Sequence, residues 1–186
     1  MDFAPFGWTN LPLCGTIQKR GAVLLRTFAS SPLRGATKRN NLEGYTVERQ
    51  PNILIIDAQG GGIGRLLASA IRQELPGASL TAVGGNSAAT AAMLKAGADR
   101  GATGENAVAV ACRKADVILG PIGIVIADSM LGEITPKMAA AVAQSGAKRI
   151  LIPFDHCDNI VVGVRDSSMK ALVQEAVAVL TEAVKA

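Results

Sequence analysis

A three-layer α/β fold around a mainly parallel sheet is the architecture this sequence predicts, on three observations. From Asn52 onward, short aliphatic runs alternate with stretches of helical periodicity. The first run, Ile53 to Ile56, is continuously apolar, as in a strand covered on both faces. Gly, Pro, Asn and Ser punctuate the joins, so each strand is expected to hand over to a helix and return by a crossover.

The elements follow in order. Ile63, Leu66, Leu67, Ala70 and Ile71 fall on one helix face, and Leu75-Pro76-Gly77 ends that helix. Ser79 to Val83 reads as a strand. Asn86 or Ser87 caps the next helix, which closes at Gly97. A helix over about Glu105 to Ala115 leads into the strand Val117 to Leu119. Thr135 caps and Pro136 opens a further helix, closed by Gly146. Lys148 to Pro153 is a strand, and Met169, Leu172, Val173, Ala176, Val177 and Leu180 mark the inner face of a C-terminal helix. Ile160 to Val164 also reads as a strand. Phe154 to Asn159 is too short for a parallel crossover, so that strand is expected either to pair antiparallel at an edge or to leave the main sheet.

Residues 1 to 50 behave differently. They hold seven Lys/Arg against three Asp/Glu, whereas the remaining residues hold twelve of each, so the net charge of +4 belongs to this segment. Without sustained periodicity, it is expected to be a disordered basic extension, with residues 51 to 186 forming a nucleotide-binding domain. A balanced body with Phe154 as its only aromatic residue offers neither a basic patch nor stacking platforms, which argues against a nucleic-acid partner. The longest strongly apolar stretch, Val117 to Ala127, is too short to span a bilayer. Cys14, Cys112 and Cys157 lack paired spacing, pointing to a reduced, cytoplasmic compartment.

Chemistry concentrates at Asp57-Ala58-Gln59-Gly60-Gly61-Gly62-Ile63-Gly64, a strand end, a glycine turn and a helix start. Glycine permits a tight turn and close approach of a ligand, and the unpaired first amides of a helix suit a phosphate. Gln59, Gly60, Gly61, Gly62, Ile63 and Gly64 are therefore the first candidate contacts. Ligands in open α/β sheets lie beyond the strand carboxyl ends, which adds Asn86 and Ser87 from the second turn and Gly120, Pro121 and Gly123 from the third. The turn departs from GxGxxG at Arg65. Its Gly62-Ile63-Gly64 ending resembles the GxxxGxG turn of short-chain dehydrogenases/reductases, with Ala58 in place of the first glycine. That family's Tyr-x-x-x-Lys is missing, because Tyr45 precedes the turn. The acidic residue about 20 positions on, which holds a ribose diol in NAD sites, is missing too. Gly84-Gly85-Asn86-Ser87 stands there instead, a polar helix start that suits the phosphorylated ribose of NADP better than a bare diol. Asp57 would repel a pyrophosphate; its alternative role is to cap the turn.

Asp155-His156-Cys157-Asp158 contains the only histidine, but neighbouring side chains diverge and no second cluster completes a metal site. Glu133 and Lys137 have the spacing to pair across one helical turn, or to meet a substrate.

Together, the Asp57 to Gly64 turn, Asn86-Ser87-Ala88-Ala89-Thr90, Gly101-Ala102-Thr103-Gly104-Glu105-Asn106 and Gly120 through Met138 resemble a small bacterial family of unknown function. The resemblance spans roughly residues 52 to 165. It implies a Rossmann-like fold and brings no activity with it. Members usually carry glycine where this chain has Ala58.

The expectation is thus a Rossmann-like protein binding a small-molecule dinucleotide, NADP or NAD, with no catalytic acid or base identified if it is an oxidoreductase. The alternative is a non-catalytic nucleotide-sensing or oligomerising module. A homodimer is expected from the many small apolar residues and the edge strand at 160 to 164.

Overall fold

A computed structural model describes residues 40–42, 45–47, 50–153, 159, 161–162 and 167–185. Its centre is a five-stranded sheet in which every pairing is parallel. In chain order the elements are β1 (Asn40–Leu42), β2 (Tyr45–Val47), β3 (Asn52–Asp57), α1 (Gly62–Glu74), β4 (Ser79–Gly84), α2 (Ser87–Lys95), β5 (Arg100–Thr103), α3 (Glu105–Cys112), β6 (Val117–Pro121), α4 (Pro136–Gln144), β7 (Lys148–Ile152) and α5 (Met169–Lys185). A 3-10 turn, Ile122–Val125, follows β6.

Strand β3 is central because both its faces are apolar. Ile53 and Ile55 pack with Leu67, Ile71, Met93, Val177 and Leu180 from α1, α2 and α5. Leu54 and Ile56 pack on the opposite side with Val108, Met138 and Val142 from α3 and α4. Helices on both faces of one parallel sheet give the predicted Rossmann-like three-layer arrangement.

The sheet order is β5-β4-β3-β6-β7. The chain winds outward from β3 in one direction, then crosses back to β6 on the other side. The order reverses between β3 and β6, and beyond their carboxyl ends the departing loops diverge and leave a crevice.

Local chemistry sets the helix boundaries. Asn86 Oδ1 accepts from Ala89 N at 2.9 Å, and Thr135 Oγ1 accepts from Met138 N at 3.2 Å, with Pro136 in the first turn. At the far end of α1, Arg72 donates to Gly97 O and meets Asp99 Oδ1 at 2.8 Å, tying α1 to the segment that enters β5.

Two expectations need amending. Arg100–Thr103, in the stretch between Gly97 and Glu105 to which the sequence pattern assigns no element, is the edge strand β5; its four residues are exposed, so no buried alternation marks them. Of the strand expected at 160 to 164, Val161 and Val162 lie outside any strand and are exposed, while Ile160, Gly163 and Val164 fall outside the described residues. Within the N-terminal segment, β1 and β2 pair antiparallel as a two-stranded sheet of their own. Asp155-His156-Cys157-Asp158 also lies outside the described residues.

Candidate functional site

The crevice at the sheet reversal holds a cavity of about 490 Å³. Its walls are the β3–α1 turn from Asp57 to Gly60, then Gly62, Ile63, Arg65 and Leu66, with Pro121 at the end of β6, Gly123 and Met130 beyond it, and Met169 at the start of α5. Larger hollows of about 860 and 780 Å³ lie elsewhere, one at the amino ends of β3 and β6 and the other between α1 and α5. Neither contains the glycine turn.

The turn's glycines do different work. Gly61 has φ +66°, and a Cβ there would stand 2.7 Å from Ala89 Cα, so glycine lets α1 and α2 begin close together. At Gly64 a Cβ would meet Met93 Sδ at 2.5 Å and Asp57 Cβ at 2.9 Å. Gly60 and Gly62 differ from both. A Cβ on either would meet nothing within 4 Å among the described residues, and neither has a positive φ. Their N–H groups have no acceptor among the described residues. Ala58, the departure from the glycine pattern, is buried without a positive φ, which falls instead on Gln59 (+51°).

Asp57 caps this turn. Its Oδ1 accepts from Ala58 N at 2.8 Å, and its Oδ2 accepts from Gly64 N at 2.6 Å. Burial of the carboxyl pushes its pKa above the usual aspartate value, against the pull of the Gly64, Ala58 and Ile63 amides, and the nearby Glu133 charge adds to the rise. The Gly64 amide is thus committed to the protein's own carboxylate, and Ile63 is buried in the core.

Across the turn, Glu133 Oε2 accepts from Gln59 N at 2.9 Å and from Asn86 Nδ2 at 2.7 Å. Asn86 Nδ2 also donates to Gln59 O. These contacts join the ends of β3 and β4, but Asn86 and Ser87 do not line the cavity. Lys137, which the spacing would pair with Glu133, instead approaches Glu105 Oε1 at 3.5 Å. Glu105 is held below the usual carboxylate range by the Thr135 hydroxyl first and then by Lys137.

Of the predicted site residues, the cavity gathers Gln59, Gly60, Gly62, Ile63, Pro121 and Gly123. Gly61, Gly64 and Gly120 serve packing; at Gly120 a Cβ would run into Ile56 O. Sequence reasoning missed Arg65, Met130 and Met169 as lining residues. Arg65 lies three residues after Gly62 in the first turn of α1, is exposed, and has no side-chain hydrogen bond or ion pair with other described residues. The helical spacing itself was the available signal, since i and i+3 share a face.

Among the described residues, no three His, Cys, Asp or Glu side chains gather to hold a metal, and no helix is long and apolar enough to cross a membrane. Cys112 is buried, which pushes its thiol up to about 11. It is expected to resist alkylation at pH 8 in the folded protein and to react within minutes in denaturant, as peptide mass mapping would report.

No curated protein matches the chain. Among solved structures, a dodecameric FMN-dependent UbiX-like decarboxylase from Escherichia coli O157:H7 is 18% identical over 70% of this chain and 75% of its own, with a TM-score of 0.36. AibC is 20% identical over 74% of this chain and 41% of its own, at 0.40. An imine reductase from Myxococcus stipitatus in complex with NAD+ is 18% identical over 72% of this chain and 52% of its own, at 0.36. The match thus spans about half or less of the latter two proteins. Residues 52–185 match a family model described as a domain of unknown function, DUF3842, and the chain belongs to that family.

Proposed function

We propose that this protein binds a dinucleotide of the NAD(P) type, with the pyrophosphate against Gly60, Gly62 and Arg65. The observation that carries the reading is the pair of glycines that neither backbone conformation nor packing requires. Their missing side chains leave the amides at the start of α1 accessible from the cavity. A phosphate there would accept from those amides and sit at the positive end of the helix dipole. Arg65 supplies a full positive charge on the same face. The apolar walls formed by Ile63, Leu66, Pro121, Met130 and Met169 suit the flat ring of a nucleotide. Residues 51 to 186 form the binding domain on this reading, and residues 1 to 50 are an extension outside it.

Calorimetric titration with NAD, NADP, ATP and FAD tests the proposal. Saturable binding of NAD or NADP is expected, and failure of both to bind overturns it. Exchanging Arg65 for Met should weaken that binding by about 10- to 100-fold, because a charge-assisted hydrogen bond contributes about 1.5–3 kcal/mol. An unchanged Kd would remove Arg65 from the site.

The reading stops at binding for a specific reason. Asp57 and Arg65 are the titratable groups lining the cavity among the described residues, and both Asp57 oxygens are already engaged by backbone amides. That favours, as a second reading, a nucleotide-sensing module over an oxidoreductase whose acid or base lies in this wall. Dinucleotide binding without turnover of a broad carbonyl panel would support it.

A further inference from the structure

We infer that Glu133 reads the adenosine ribose and selects a bare 2′,3′-diol over a phosphorylated one, so that the ligand is NAD rather than NADP. This deepens the dinucleotide reading and rests on it. The argument begins at Gly85, just beyond the carboxyl end of β4, where a parallel sheet of this order places the ribose of a bound dinucleotide. No acidic side chain directly follows β4, which runs on into Gly85-Asn86-Ser87. Space there is instead filled from another direction: a Cβ on Gly85 would stand 3.2 Å from Glu133 Oε2 and 3.0 Å from Ala58 Cβ. The absence of a side chain at Gly85 makes room for a carboxylate delivered from the loop after β6.

That carboxylate is held in one orientation. Oε2 is anchored by the Gln59 amide and the Asn86 side chain, while Oε1 accepts no hydrogen bond from the described residues. Its loop is braced beneath it: Asp128 N donates to Ile134 O at 2.8 Å, and the buried Ser129 Oγ donates to Gly123 O at 2.6 Å. An ionised carboxylate is an acceptor only. It pairs with the hydroxyl donors of a diol and repels a dianionic 2′-phosphate. Arg65 lines the cavity, whose walls do not include Glu133, and Lys137, four residues on, is drawn to Glu105 Oε1 at 3.5 Å, so no cation pairs with Glu133 among the described residues. The preference for a phosphorylated ribose suggested by the polar Gly84-Gly85-Asn86-Ser87 start is therefore reversed by a residue distant in sequence.

The test is calorimetric titration of the full chain and of Glu133→Gln with NAD and with NADP, alongside thermal unfolding of both. Glu133→Gln keeps an amide oxygen for Gln59 N and Asn86 and removes the charge. Wild type should bind NAD at least 10-fold tighter than NADP, and the variant should cut that ratio about 10-fold, largely by gaining NADP affinity. A structural latch that merely loosened would weaken both ligands equally and leave the ratio intact; that result overturns the inference. So does wild-type binding of NADP as tightly as NAD, which leaves the dinucleotide reading standing. Binding of neither ligand overturns both.

Discussion

Replacing Gly62 by valine is expected to weaken dinucleotide binding about 100-fold, the loss of two amide–phosphate hydrogen bonds at about 1.5 kcal/mol each. Stability should change by less than about 0.5 kcal/mol, because the position is a surface site at the helix start. The Cβ would meet nothing within 4 Å among the described residues, and no positive φ opposes it. A branched side chain would instead fill the space where a phosphate approaches. The control lies two residues on. Gly64→Val would drive its Cβ into Met93 Sδ and Asp57 Cβ. Met93 can shift, but Asp57 is fixed by the amides it caps, so the substitution should cost about 3 kcal/mol through overpacking. Denaturant unfolding and calorimetry on the two variants separate the roles. If Gly62→Val binds like wild type, the ligand lies elsewhere; if it unfolds like Gly64→Val, packing explains both glycines.

The alternation of strands and helices was legible because it is written in local chemistry. Ile53 to Ile56, the Asn86 and Thr135 caps and the Leu75-Pro76-Gly77 stop each act within a few residues, and each lies where the pattern places it. Strand β5 was not legible, since an edge strand with four exposed residues has no buried face to leave a period. The site divides similarly. The glycine turn and the crevice follow from sequence order. Which glycines pack and which face open space depends on Ala89 and Met93, contributed by a neighbouring helix, and no spacing within the turn reveals it. Glu133 is harder still. It meets Gln59 across 74 residues, and the only nearby cue, its distance from Lys137, points to a pair that Glu105 takes instead. The role of Asp57 as a cap, by contrast, could be read from a carboxylate at a strand end ahead of a helix start.

Removing that cap should have a large effect on stability. Asp57→Ala strips the acceptor from the Gly64 and Ala58 amides in a buried setting, at a cost of about 2–4 kcal/mol. Asp57→Asn keeps one acceptor oxygen and should cost less, but it isolates the pH dependence. Burial raises the Asp57 pKa in the folded state, so the folded chain holds that proton more tightly than the unfolded chain. The sign follows by linkage. The contribution of Asp57 is greatest below the ordinary aspartate pKa of 3.8, falls as pH rises through the raised value, and is flat above it. Asp99, whose pKa is lowered chiefly by the Leu80 amide, works in the opposite sense, losing its contribution as pH falls. Urea unfolding of wild type and Asp57→Asn across pH 3 to 7 cancels that shared background. The wild-type advantage over Asp57→Asn should shrink as pH climbs through the acid range and then level off. An advantage that instead grows with pH would mean that the capping amides outweigh burial and that the folded chain favours the ionised carboxylate.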